Sequence, residues 1–317
     1  MKECVESMVT MQEPVPQTRK KKPLNVKRGI FLVCMIILPL INFCIFYVAV
    51  NFNSILMAFQ VLQGGKVVYS FINFELIWGE LTTPGSVLLE ATRNTLLTFG
   101  TNLVIVLPLT IFIAYFLYKK ILMSGFFKAV FFFPSIISAV VMTSLFIAMA
   151  DRGAPLSRFV QVLCGMEEAP LLLGDESTAI WTVLLYGIWT GFSVNLMLFL
   201  GAFNRIPEEV LEAGSLDGCG MLRELFQVIL PMIWPTVTTL LLFTFVGIFT
   251  ISGPILLLTQ GDNGTYTISY WIFEQVYKST GRLEYSSAVG IFFTVIALPI
   301  VFLVRYILNR FDSQIEY

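Results

Sequence analysis

Six apolar blocks, each long enough to cross a lipid bilayer as a helix, constrain this chain more than any other feature: residues 30–50, 95–118, 129–150, 179–203, 229–252 and 287–306. A helix rising about 1.5 Å per residue needs roughly 20 apolar residues to cover about 30 Å of hydrocarbon. Each block is uncharged until its end. A soluble protein that is 56% hydrophobic, with 29 phenylalanines, would expose large apolar patches and aggregate. The expected fold is therefore an all-α integral membrane protein with six transmembrane helices. Basic and acidic residues nearly balance, 20 against 21, which gives no case for nucleic-acid binding.

Basic residues in the connections set the orientation. Lys2, Arg19, Lys20, Lys21, Lys22, Lys27 and Arg28 precede the first block, and Lys119, Lys120, Lys128, Arg205, Arg223, Arg305 and Arg310 fall on the same side. Lys66, Arg93, Arg152, Arg158, Lys278 and Arg282 fall on the other. This bias predicts both termini, and the connection at 205–231, on the cytoplasmic side. A basic leader before an apolar run also describes a secretory signal, but this leader is long and YVAVNFNS is a poor cleavage site. The expected organisation is a polar cytoplasmic tail at 1–28, a first helix with its extracytoplasmic connection at 29–90, a five-helix core at 91–310, and a short cytoplasmic tail at 311–317.

Absences narrow the chemistry. The chain has no histidine, so imidazole bases, zinc ligation by His and a Ser-His triad are excluded. Its 5 cysteines show no CxxC pair. The glycines and lysine of QGGKVV at 63–68 are in the wrong arrangement for a P-loop, so ATP is not expected to bind this chain. Ion-coupled transporters hold charged groups at mid-membrane. The blocks show none, which favours an uncharged solute over an ion-coupled pump, and no filter-like repeat supports a channel.

Charge concentrates instead in EEVLEAGSLDGCG, at 208–220. Pro207 suits a helix start, and Glu208 and Glu209 sit where the helix dipole favours negative charge. Glu208 and Glu212 share one face with Ala213 and Gly214 beside them. Gly218 and Gly220 stop the helix, and MLRELFQVIL leads into Pro231 and Pro235. Paired carboxylates can do acid–base chemistry or hold a metal, but no nucleophile or electrophile accompanies these. A solvated helix explains the charges and leaves the grouped small residues unexplained, whereas a docking surface explains both, since small residues let another backbone approach.

EAGSLDGCGMLRELFQVILP resembles the EAA loop of ABC-importer permeases, with Glu212, Ala213, Asp217, Gly218, Ile229, Leu230 and Pro231 matching. IPEEVLEA and Phe226 are similar to the carbohydrate-uptake branch, and looser similarity runs over about 90–310, including FFFPSIISAVV. Gly214 and Cys219 stand where Ala is usual; both are small. The resemblance implies a type I importer architecture in which this chain pairs with a second permease subunit, identical or different, two different halves being common in the carbohydrate branch. Two ABC ATPase subunits would use ATP and Mg, and an extracytoplasmic solute-binding protein would deliver a sugar or oligosaccharide. The chain itself would be no enzyme and would bind no cofactor or metal. Glu208, Glu212, Ala213, Gly214, Asp217, Gly218, Leu230 and Pro231 would form the ATPase-docking loop in a bacterial-type cell membrane. A permease for a glycerophosphodiester, polyamine or anion is the alternative within the class; a non-ABC channel or membrane enzyme lies outside it.

Tyr186, Trp189, Thr190 and Ser193 fall at helical spacing on one stripe of the fourth block. Aromatic faces with hydroxyls suit a sugar, and Asn102 in the second block is a similar candidate. Such residues in spans also pack against other helices. The connection at 253–286, with its tip TQGDNGT, is read as a contact for the binding protein or an outer gate, or else as an ordinary loop.

Overall fold

The structure, a computed structural model, describes residues 26–64, 66–216, 218–250, 253–278 and 282–312. The expectations for residues 1–25, for Asp217 and for 313–317 lie outside the described residues. The chain divides into two compact units, Met1–Asn53 and Ser54–Tyr317. The first contains α1 (Val26–Asn42) and a π-helical segment, Phe43–Ala49. Its side chains from 30 to 53 are exposed, the surface expected of a helix bathed in lipid.

The second unit takes in most of α2 (Val50–Ala58), then a hairpin of β1 (Gln60–Gln63) and β2 (Lys66–Tyr69), and α3 (Ile72–Thr82). Asn73 fastens this segment, its Nδ2 donating to the carbonyls of Ala58 at 2.9 Å and Gln60 at 3.0 Å. Next come α4 (Val87–Thr101), a π segment at Asn102–Val106, and α5 (Leu107–Tyr118), which together form one continuous candidate span. Ser86 caps α4 by accepting from the Leu89 amide, so the helix starts well before the apolar block at 95. The long α9 (Glu176–Phe203) and α16 (Leu283–Asp312) likewise extend beyond their blocks.

Two of the six expected spans are not single helices. Block 129–150 splits into α6 (Ser124–Ile136) and α7 (Ala139–Ala150), which meet at 108°. Pro134 removes an amide from the last turn of α6, Ile137 and Ser138 are extended, and the Ser138 hydroxyl starts α7 by accepting from the Val141 amide. Block 229–252 breaks at Ile233 between Met221–Met232 and Trp234–Phe249, bent by 77°. Pro235 lacks the amide that would bond to the Pro231 carbonyl, and in a continuous helix its ring would crowd that carbonyl. Among the described residues, four helices are therefore long and apolar enough to cross a membrane, and up to six if each bent pair counts as one span.

The elements between these helices are short: α8 (Pro155–Cys164), α10 (Glu208–Leu216), α11 (Met221–Arg223), a π segment at Glu224–Ile229, and α12 (Leu230–Met232). They are followed by α13 (Trp234–Val246), α14 (Gly253–Leu258) and α15 (Ile268–Tyr277). One buried core joins the lower ends of α5, α9 and α13 to the returning loop, through Tyr115, Phe199, Phe203, Leu225, Ile229 and Val237. Two further cores, around Trp271 and around Tyr186, hold the opposite end.

The segment at 259–267 is not an ordinary exposed loop. Asn94 of α4 donates to the carbonyls of Gly264 at 2.8 Å and Tyr266 at 2.9 Å, and Asn263 donates to Leu173 O at 2.9 Å. Thr259 and Thr265 bond to each other at 2.6 Å. Burial first, then its bond to the Glu274 carboxylate, holds the Tyr266 phenol above its ordinary range. Asn94→Ala would leave two carbonyls without their donor, a cost of about 1–3 kcal/mol. The expected result is a lower unfolding midpoint in detergent and faster protease nicking within 259–267.

Candidate functional site

The loop at 205–231 is built as a short helix, a turn and a return. Glu208 and Glu209 occupy the first turn of α10, where unpaired amides favour carboxylates. The helix ends in a Schellman-type turn: Gly218 is left-handed at φ 70°, and the Cys219 amide bonds back to the Gly214 carbonyl at 3.0 Å. Only glycine enters that conformation without strain, which is why the turn falls at Gly218. Glu208, Glu212, Ala213 and Gly218 are exposed, whereas Gly214, Leu230 and Pro231 are half-buried.

Apolar side chains stand out beside those carboxylates. Leu216 is 88% exposed, Leu222 63% and Met221 56%. Uncovered apolar residues beside charge are the kind of surface that meets a protein or a membrane. The inner side of the loop is, by contrast, firmly seated. Leu225 and Ile229 are fully buried against α5, α9 and α13, with Leu211 of α10 packed on the same core. The loop thus presents an exposed outer face, and its back is joined to α5, α9 and α13.

A cavity of about 170 Å³ lies between α4, α9 and α14. Asn102 and Thr190 both line it, joined by Thr98, Thr101, Gly187, Pro254 and Thr267. Asn102 opens the π segment, and its Nδ2 donates to Thr98 O at 2.9 Å. Such π-bulges are frequent at functional sites because the extra residue re-aims the side chains around it.

The rest of the stripe has other duties. The Tyr186 hydroxyl is 3.0 Å from Thr143 Oγ1, and its ring packs on Phe146. Trp189 packs on both Phe146 and Tyr186. Ser193 is fully buried and donates to Phe131 O at 2.7 Å. These three bind α9 to α6 and α7, leaving Thr190 as the stripe residue at the cavity. Thr98 and Thr101 were passed over in the sequence, although their spacing with Asn102 places them on the same side of α4.

At the far end of α4 and α9 a second cavity, of about 420 Å³, is lined by Glu90, Arg93, Glu176, Trp181 and Gly264. The charges missing from the apolar blocks therefore gather in the first turns of the helices, outside the blocks themselves. Among the described residues no group of His, Cys, Asp and Glu is arranged to hold a metal ion.

Comparison with known proteins bears on the family and the fold. Residues 106–317 match the family described as "Binding-protein-dependent transport system inner membrane component". The multiple sugar-binding transport system permease protein MsmF of Streptococcus mutans is 25% identical over 266 residues, covering 82% of this chain and 89% of that protein. The probable ABC transporter permease protein YurN of Bacillus subtilis is 27% identical over 180 residues, and the match spans 56% of this chain and 61% of YurN. The crystal structure of a bacterial ABC transporter involved in the import of the acidic polysaccharide alginate aligns with a TM-score of 0.77 at 22% identity. That match covers 90% of this chain and 97% of the other, and at this identity it shows the fold.

Proposed function

The chain belongs to the family of binding-protein-dependent transport system inner membrane components, and we propose that within it the chain is one transmembrane half of an ABC importer for a sugar or oligosaccharide. Members of this family are transport subunits, not enzymes. The single observation that carries the docking role is the 205–231 loop. Its outer face offers Glu208, Glu212 and Leu216, and its inner face is locked to α5, α9 and α13. A partner ATPase with a groove for α10, using ATP and Mg, would push this loop as a rigid piece and tilt the attached helices between inward-facing and outward-facing states.

The sugar assignment rests on the relatives and on the site. MsmF is by name a multiple-sugar permease. The cavity between α4, α9 and α14 presents hydroxyls and one amide and no charge, which suits an uncharged polyol and disfavours an ion. A solute-binding protein would present the sugar at the end carrying the 259–267 segment. The second permease subunit is proposed to be a different chain, and the basic bias supports a cytoplasmic position for the docking loop and both termini in a bacterial plasma membrane.

Glu212→Lys tests the docking face. The residue is exposed, so the fold tolerates the change. The variant is expected to reach the membrane while uptake of the sugar falls and ATPase recovered with the tagged chain drops. Unchanged uptake and recovery would remove Glu212 from the docking role.

A further inference from the structure

Glu224 is nearly buried, at 9% exposure, directly behind the docking turn. It opens the π segment Glu224–Ile229, and its carboxylate meets Tyr115 of α5 and Lys119, the residue that ends α5, more than a hundred residues away in sequence. Lys119 Nζ lies 2.6 Å from Oε1, and the Tyr115 hydroxyl donates to Oε2 at 3.3 Å. Lys119 also sits 5.9 Å from the centroid of the Tyr115 ring, and its amide closes the last turn of α5 onto Tyr115 O. A cation is favoured there by the dipole of α5, whose carbonyls end at this point.

The surroundings make the pairing unusual. Tyr115, Leu117, Leu225 and Ile229 bury an otherwise apolar core around it. The Glu224 side chain is 12% exposed and that of Lys119 35%, so the cost of separating the pair falls on the carboxylate, which is left without its partner in a poorly hydrated place. Such a contact resists sliding: the loop cannot shift along α5 without parting the Glu224 carboxylate from Lys119 and Tyr115. Apolar packing alone would allow it to creep.

We propose that Glu224 is a positioning residue that hitches the docking loop to α5, so that displacement of the loop is delivered through α5 to the cavity wall at Asn102. From Lys119 to Asn102 the helix runs without interruption through the π segment at Asn102–Val106. At about 1.5 Å per residue this is a rod of roughly 25 Å. Leu225 and Ile229 carry the same movement into α9 and α13 by packing, but the charged contact fixes its register against α5. Glu224 itself touches neither ATPase nor sugar in this scheme. It acts through Lys119 and Tyr115.

The inference rests on the importer reading, and one preparation separates the two. The full transporter, with both permease subunits, the ATPases and the loaded binding protein, is reconstituted in liposomes, and sugar moved per ATP hydrolysed is measured. If the wild-type complex shows no ATP-driven uptake, the importer reading fails. If it does, Glu224→Gln and Lys119→Met are each expected to lower the ratio of sugar to ATP at least about fivefold, the lower end of ordinary coupling strengths. The exchanged pair, Lys119→Glu with Glu224→Lys, is expected to restore the ratio to within about twofold of wild type, because opposite charges again meet. A wild-type ratio in both single variants overturns the proposal. If the single variants do not assemble, the exchanged pair decides: assembly with a restored ratio supports the hitch, whereas assembly with a low ratio, or no assembly, overturns it.

Discussion

Gly218→Val is expected to abolish coupled uptake while leaving the chain in the membrane. Gly218 is at φ 70°, and nothing lies within 4 Å of where a Cβ would stand, so the substitution meets no steric clash. Its whole cost is conformational. A β-branched residue in the left-handed region is a genuine outlier, and an L-residue there costs roughly 1–2 kcal/mol before branching is counted. The turn relieves that strain by leaving the left-handed basin, which breaks the Cys219-to-Gly214 bond and swings α10 away from the return at 221–232. Since Gly218 is exposed, the cores behind it are untouched. ATP hydrolysis in the reconstituted complex should then run without sugar uptake, or the ATPase should be lost from it.

Two controls sharpen the result. Gly218→Asn should retain uptake, because Asn enters the left-handed region at low cost. Gly214→Ala should also retain it, since the nearest atom to a new Cβ there is Cys219 Cβ at 4.0 Å. The helix would gain up to about 1 kcal/mol in propensity. Normal coupled uptake by Gly218→Val would mean that the turn geometry is not what the ATPase reads.

Gly187→Phe is the second large effect, and it acts at the cavity. Gly187 lines the space between α4, α9 and α14, and nothing lies within 4 Å of its built Cβ. A phenyl ring there enters the cavity of about 170 Å³ instead of colliding with a neighbouring helix. Uptake of the sugar should fall to background, with assembly and ATPase association preserved, which is the reverse of the pattern expected for the loop variants. Uptake at the wild-type rate would remove this cavity, with Asn102 and Thr190, from the sugar's path.

The features legible in the sequence are those set by local rules. Block length announces the membrane-spanning helices, and the order acid, small residue, glycine announces α10 and its stop at Gly218. The breaks at 137–138 and 233 were hidden because apolar composition runs unchanged through them. Proline alone does not reveal them either: Pro39 and Pro299 stay inside continuous helices, whereas Pro134 and Pro235 flank sharp bends. What differs is the neighbourhood, since Ser138 offers a cap for a new helix and Pro235 faces Pro231 one turn earlier.

Long-range pairing explains the remainder. Helical spacing correctly groups Tyr186, Trp189, Thr190 and Ser193, but it cannot say which neighbouring helix covers that face. In the fold, α6 and α7 cover Tyr186, Trp189 and Ser193, and the cavity is left to Thr190. Glu224 shows the same limit more strongly. In sequence it is one acid among several in a polar loop; its meaning comes from Lys119 and Tyr115, which only the fold brings to it.

The most direct test of the central claim is the composition and activity of the complex isolated through this chain. Tagged at its C-terminus and purified from the membranes of its own cells, the chain should bring with it a second permease subunit and ABC ATPases. Their ATP hydrolysis should rise when sugar-loaded binding protein is added. Recovery of a chain that moves sugar into liposomes with no ATPase subunit present would contradict the account.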